Sequence, residues 1–126
     1  MFEPQMIFVK EVTLKPGASA TDLETLWVEE FLPHATELPG FRPTMYKGQN
    51  LQKEGQYLYV NYFETAERRG ELYLGSTYNE ESKQSMPIHS EEMKEWVAAN
   101  PAYQEAMSHY RAIFDSVSQT LYHELK

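Results

Sequence analysis

The stretch QYLYVNYF at 56–63 places Tyr57, Tyr59, Asn61 and Phe63 at alternate positions. In an extended strand, alternate residues share one face. Phenol hydroxyls and an amide on one face can orient an aromatic ligand and steady a developing anion. The same face also suits a Tyr-rich contact between two copies of the chain, since interfaces favour tyrosine. A general base would come from histidine, which titrates near neutral pH. The candidates are His34, following a helical stretch, and His123, near the end of the last strand. Each also fits a surface or structural role, because no partner residue accompanies it. Lys10 and Arg42 can neutralise an anionic ligand group or serve as strand-edge charges. The sequence holds no HExxH, no glycine-rich phosphate loop, no GxSxG elbow and no dinucleotide fingerprint. His89 and Glu92 lie three apart, but Glu91 and Glu92 more simply complement a helix N-terminus, so no metal site is predicted.

The 126 residues include no cysteine, which excludes disulfides, thiolate metal sites and cysteine nucleophiles. Nineteen acidic against eleven basic residues give a formal charge of −8, which disfavours nucleic acid and anionic membranes as partners. The opening MFEPQMIFVKEV has Glu3 before a short apolar run and no small-residue cleavage site, so no secretory signal is expected. No apolar run approaches the ~20 residues that span a bilayer. A soluble, cytoplasmic protein is the expectation. Nine Tyr, six Phe and two Trp exceed what a compact core needs, and point to a pocket, an interface or both.

Positioning these groups requires a scaffold, and the hydrophobic periods supply one. Apolar residues over Met6–Leu14 predict a strand, closed by Pro16-Gly17. Thr21 and Glu24 have capping-box spacing, and Leu23, Leu26, Trp27, Phe31 and Leu32 fall on one helical face. Pro33 loosens the end of that helix, and Pro39-Gly40 stops it. Phe41–Lys47 and Gln56–Phe63 predict a hairpin across a polar turn at 48–55. Thr65 caps a short helix reaching Leu72, and 75–89 is expected to be a long loop. Ser90 caps a helix carrying Met93, Trp96 and Val97, and Asn100-Pro101 restarts it. Tyr103, Met107, Tyr110 and Phe114 continue one face. His109 falls ~200° from Met107 at ~3.6 residues per turn, and so points away from the sheet. A strand over 116–125 closes the order β-α-β-β-α-β, with the second helical region expanded.

That order predicts a single domain over 1–126 of α+β class: a ferredoxin-like, four-stranded antiparallel sheet with helices on one face. Leu58, Val60 and Tyr62 are expected to pack on the helices, and the Tyr57–Tyr59–Asn61–Phe63 set to face the other way. A second copy covering that other face would give a two-fold dimer, its two sheets forming one dimeric α/β barrel.

FVKEVTLKPGASATDLETLW at 8–27 resembles the first strand and helix of the antibiotic-biosynthesis-monooxygenase superfamily. LPGF at 38–41 is similar to its Pro-Gly-aromatic start of the second strand, and EWVAANPAYQEAMSHY at 95–110 resembles its late helix. With YLYVNYFETAER, these stretches cover most of the chain. The resemblance implies a small-molecule enzyme, a cofactor-free monooxygenase acting on an aromatic or polyketide-like substrate. The substrate's own enolate or phenolate would activate oxygen. His34 or His123 would be the base, Tyr59 and Asn61 the orienting donors, and Trp96 with Phe8 the walls. Lys10, Arg42, Tyr57, Phe63, Met107 and His109 would complete the pocket, and no cofactor is expected. In the haem-degrading branch a strand Asn, a helix Trp and a helix His form the site. Here Trp96 matches the Trp, while Lys10 and Met107 stand at the other two positions, with His109 two residues on. Haem is therefore the less expected ligand. The lack of a matched catalytic set supports another class, a non-catalytic dimeric ligand-binding or assembly protein of the same fold. In either case the expected partners are a second copy of the chain and a small apolar or aromatic molecule.

Overall fold

Most of the predicted periods become the predicted elements in a computed structural model, which describes residues 2–48, 55–81 and 84–125. Met6–Leu14 forms β1. Thr21–Leu26 forms α1, which runs on through a π-helical turn at Trp27–Phe31 and a 3-10 turn at Leu32–His34. Phe41–Lys47 is β2, Gln56–Phe63 is β3 and Ala66–Leu72 is α2. Tyr73–Asn79 and Gln84–His89 are β4 and β5. Glu91–Ala98 is α3, Pro101–Ile113 is α4 and Phe114–His123 is β6. Four strands make one antiparallel sheet in the order β2-β3-β1-β6, the α+β, ferredoxin-like arrangement. Of the turn expected between β2 and β3, 49–54 lies outside the described residues.

Several local expectations change. The stretch expected to be a long loop instead pairs β4 with β5 as an antiparallel hairpin between α2 and α3. Its period is hidden at Gly75, where φ is +123° and the register slips between Tyr73 and Ser76. β6 begins at Phe114, and a bulge opposite Glu11 and Val12 leaves Val117 as the extra residue. The capping box does not form, because Ala20 is the cap residue of α1 and no side chain caps it. Glu24 instead accepts from the Tyr57 hydroxyl at 3.1 Å and pairs with Lys47 Nζ at 3.0 Å, tying α1 to the β2–β3 hairpin. Thr65 and Ser90 do cap their helices, accepting from Arg68 N at 3.0 Å and Met93 N at 3.2 Å. The Asn100 amide turns back and donates to Trp96 O at 2.7 Å, closing α3 rather than opening α4.

The two faces of β3 are reversed from the expectation. Tyr57, Tyr59, Asn61 and Phe63 are buried beneath the helices. Leu58, Val60 and Tyr62 face the other way, in register with Ile7 and Val9 of β1 and with Arg42, Thr44 and Tyr46 of β2. Alternation settles which residues share a face, but not which face the helices cover. Here the helices bring Trp27, Phe31, Trp96, Tyr103 and Tyr110, and the aromatic side of β3 packs on them.

Arg68, early in α2, gathers the 39–40 turn and α3. Its Nε donates to Pro39 O at 2.7 Å, and its two terminal nitrogens donate to the Glu92 carboxylate oxygens at 2.7 and 2.6 Å. Gly40, at φ +74°, leaves room for this side chain, since a Cβ there would lie 2.8 Å from Arg68 Cγ. The Arg68 hydrogen bond holds the Glu92 carboxyl below its ordinary pKa of 4.5. A carboxyl depressed on folding stabilises above its unfolded pKa, and that stability is lost as pH falls through the folded value. Glu92 is 46 % exposed, and solvent screening keeps this contribution to about 1 kcal/mol or less. Arg68→Gln should therefore lower the urea midpoint at pH 7, and the deficit should shrink below pH 4.5. A deficit that stays constant into acid would remove the Glu92 linkage.

Candidate functional site

Every second residue of β1 joins the aromatic face of β3: Phe8 lies opposite Asn61, Lys10 opposite Tyr59 and Val12 opposite Tyr57. The ring of Tyr59 is 6.2 Å from that of Trp27 and 5.4 Å from that of Tyr110. Tyr103 stands 5.0 Å from Trp96 and 5.1 Å from Phe31. These are edge-on and tilted contacts, the arrangement that aromatic quadrupoles favour. The Tyr59 and Tyr103 hydroxyls meet at 3.0 Å in the interior. Burial pushes the phenols of Tyr59, Tyr73, Tyr103 and Tyr110 above their ordinary pKa, so they stay protonated in neutral solution.

Asn61 Oδ1, Trp96 Nε1 and the Tyr110 hydroxyl are buried without a hydrogen-bond partner among the described residues. A buried polar atom left unpaired costs about 1–3 kcal/mol, so native interiors rarely keep one without a reason. These atoms are an amide acceptor on the Tyr59 face of β3 and, within the aromatic cluster, an indole donor and a phenol. Such a set can hold the hydroxyl or carbonyl groups of a planar ligand.

The helical cover is incomplete over β6. Gln119, Leu121 and His123, which share the face of Phe8 and Lys10, are exposed. Phe8 and Met107 are partly buried behind them. Lys10 is half-buried, its Nζ 5.7 Å from the centre of the Tyr110 ring. Burial, and then the charge of Arg111, hold the Lys10 pKa below the ordinary lysine value. The β1–β6 edge is thus the accessible side of the cluster.

The structure brings together Phe8, Lys10, Tyr59, Asn61, Trp96 and Met107 of the predicted residues. His34 lies outside this group. It is 53 % exposed, with Nδ1 3.0 Å from Glu37 Oε1. It borders a depression of about 350 Å³ lined also by Glu30, Glu37 and Asn100, with Trp96 as the wall shared with the aromatic cluster. His123 lies on the face of Phe8 and Lys10, but at the exposed end of β6, opposite Met6. Arg42 is on the opposite face of the sheet, its guanidinium 4.6 Å from the Tyr62 ring centre. Tyr57 is engaged with Glu24, and Phe63 packs between Phe41 and Tyr73. His109 has Nε2 3.9 Å from Glu105 Oε1 and points away from the core that Met107 contacts, as helical spacing predicts. His109 therefore does not stand beside Met107 on the cluster side. Tyr103 and Tyr110 were legible only as a core-facing helical stripe, and their hydroxyls were the one signal of a polar role. Among the described residues, no helix is long and apolar enough to cross a membrane.

No family model matches the chain, and no curated protein matches it. Solved structures do match. The chain is similar to SnoaB, a cofactor-independent oxygenase from Streptomyces nogalater, at 14 % identity and a TM-score of 0.52, over 96 % of this chain and 93 % of that one. A Chloroflexus aurantiacus protein ascribed to the antibiotic biosynthesis monooxygenases is 12 % identical with a TM-score of 0.52, covering 96 % and 93 %. A NIPSNAP family protein from Agrobacterium tumefaciens is 11 % identical with a TM-score of 0.54, covering 99 % and 90 %. At such identities the likeness speaks to architecture, and chemistry must be argued from residues. The chain has the ferredoxin-like fold that antibiotic-biosynthesis-monooxygenase-like and NIPSNAP proteins share.

Proposed function

We propose that this protein is a cofactor-independent oxygenase of an electron-rich aromatic or polyketide-like substrate, bound against the aromatic face of β3. The observation that carries the proposal is Asn61, an amide only 6 % exposed whose Oδ1 has no partner among the described residues. The shared fold with SnoaB, itself described as cofactor-independent, supports the class. In this chemistry the substrate supplies all the electrons: a ring methylene and one dioxygen become a ring carbonyl and one water. The methylene loses a proton, and the resulting enolate reduces dioxygen. One oxygen atom stays on the ring carbon, and the other leaves as water with the two methylene hydrogens. The protein's part is to seat the ring beside Phe8, accept a substrate hydroxyl at Asn61 Oδ1, and exclude water with the aromatic cluster. Of the two histidines considered as base, His123 lies on the same face of the sheet as Asn61, at the open edge.

The opposite face carries Ile7 and Val9 of β1 and Leu58, Val60 and Tyr62 of β3 at its centre, flanked by Arg42, Thr44 and Tyr46 of β2. We infer that a second copy covers it, which joins two sheets into one barrel and leaves each aromatic cluster between its own sheet and helices. A non-catalytic ligand-binding or assembly role is favoured by one observation, that the Tyr59 hydroxyl is already bonded to Tyr103. Oxygen uptake with an anthrone separates the two functions. Turnover is expected in the wild type, with a loss of about 100-fold in Asn61→Ala and about tenfold in Tyr59→Phe. Anthrone binding without uptake favours the non-catalytic role, and undiminished uptake in both variants overturns the assigned site. Light scattering of the same sample should give twice the chain mass, and a monomer would remove the dimer.

A further inference from the structure

The chain carries a net charge of −8, yet Lys10 has no carboxylate partner among the described residues. It sits mid-strand on β1, between Tyr59 of β3 and Gln119 of β6, its ammonium over the ring of Tyr110. The next residue of α4, Arg111, likewise lacks a carboxylate partner there. It follows Tyr110, the ring that Lys10 approaches, and its charge bears on Lys10. Half-burying the Lys10 ammonium carries a desolvation cost, and the positive charge of Arg111 adds to it. Neither charge stabilises the fold through an ion pair, so the arrangement suits an incoming anion. Both ammonium and guanidinium form strong charge-assisted hydrogen bonds to carboxylates.

Asn61 lies diagonally from Lys10, one strand across and two residues along, which sets the two roughly 7–8 Å apart. Phe8 occupies the corner between them, directly opposite Asn61 and two residues from Lys10 on the same face. Cation, apolar ring and orphan amide acceptor therefore lie in one short strip that runs inward from the accessible β1–β6 edge to the buried amide on β3. We propose that this strip is a carboxylate-specific subsite for an aromatic hydroxy acid. Lys10, with Arg111, binds the ionised carboxylate, the ring lies on Phe8, and the hydroxyl donates to Asn61 Oδ1. The inference rests on the oxygenase reading for the location of the site, and names the class of substrate that site takes. Lys10 is then a specificity-determining residue, separate from the groups that orient the reacting carbon.

The test is calorimetric titration of the full chain with 6-hydroxy-2-naphthoate and with its methyl ester. The acid should bind about tenfold more tightly than the ester, the worth of one charge-assisted hydrogen bond. Lys10→Gln should erase that preference while leaving the ester's affinity unchanged, and Lys10→Arg should keep it. Arg111→Gln, at an exposed helix position, should reduce it, and serves if Lys10→Gln does not fold. Equal affinities for acid and ester in the wild type, a full preference in Lys10→Gln, or no binding of either probe would overturn the subsite. Oxygen uptake with the anthrone is read separately. A carboxylate preference without uptake keeps the subsite and removes the oxygenase function, and uptake without the preference does the reverse.

Discussion

Phe31→Ala should lower the unfolding free energy by about 3–5 kcal/mol, read as a shift of the urea midpoint with little change in slope. Phe31 is wholly buried, at the end of the π-helical turn that continues α1. Its ring meets Trp27 at 4.6 Å, Tyr103 at 5.1 Å and Trp96 at 6.0 Å, so it joins the first helical segment to α3 and α4. Backbone turns hold the three neighbours in separate segments, so they cannot collapse far into the space the ring vacates. The loss should therefore lie near the upper end of what a Phe truncation costs. Domains of this kind have about 5–15 kcal/mol in all, so the variant should be close to unfolding at physiological temperature. The near-UV circular dichroism of Trp27 and Trp96 should weaken with it. A change below about 1 kcal/mol would mean that the helical layer does not pack on Phe31 in this way.

Asn61→Leu should move stability and activity in opposite directions. Leucine is close to asparagine in shape without its polar atoms, and Asn61 Oδ1 has no partner to lose among the described residues. Removing an unpaired buried acceptor should raise the unfolding free energy by about 1–2 kcal/mol. The same change removes the acceptor for the substrate hydroxyl, and turnover of the anthrone should fall by about 100-fold or more. Denaturation and oxygen uptake on one preparation read both effects. A destabilised Asn61→Leu would show that the amide has a structural duty, and the argument that it is kept for a ligand would fail. A stabilised variant of unchanged activity would sever the link between Asn61 and the reaction.

Much of the architecture was legible because it depends on short periods. Alternation along 6–14 and 56–63, and spacings of four and three through 103, 107 and 110, each predict an element that the fold contains, while Phe114, expected on the same helical face, instead opens β6. The hairpin β4–β5 was hidden because Gly75 shifts its register. Thr21 and Glu24 show how local patterns lose to tertiary ones. Their spacing suits a capping box, but the Glu24 carboxylate goes to Tyr57 and Lys47 instead.

The site divides in the same way. The sequence by itself determined that Tyr59 and Asn61 share a face, that His109 turns away from Met107, and that cysteine chemistry is excluded. Each follows from covalent geometry, helical or strand period, or composition, none of which needs a distant contact. Only the tertiary structure decided that this face lies under the helices, that Tyr103 and Tyr110 join it, and that Arg42 lies across the sheet from Lys10. Those outcomes depend on which side of the sheet α1, α3 and α4 pack. That choice is made by the sum of aromatic contacts between segments far apart in the chain, and no local period records it.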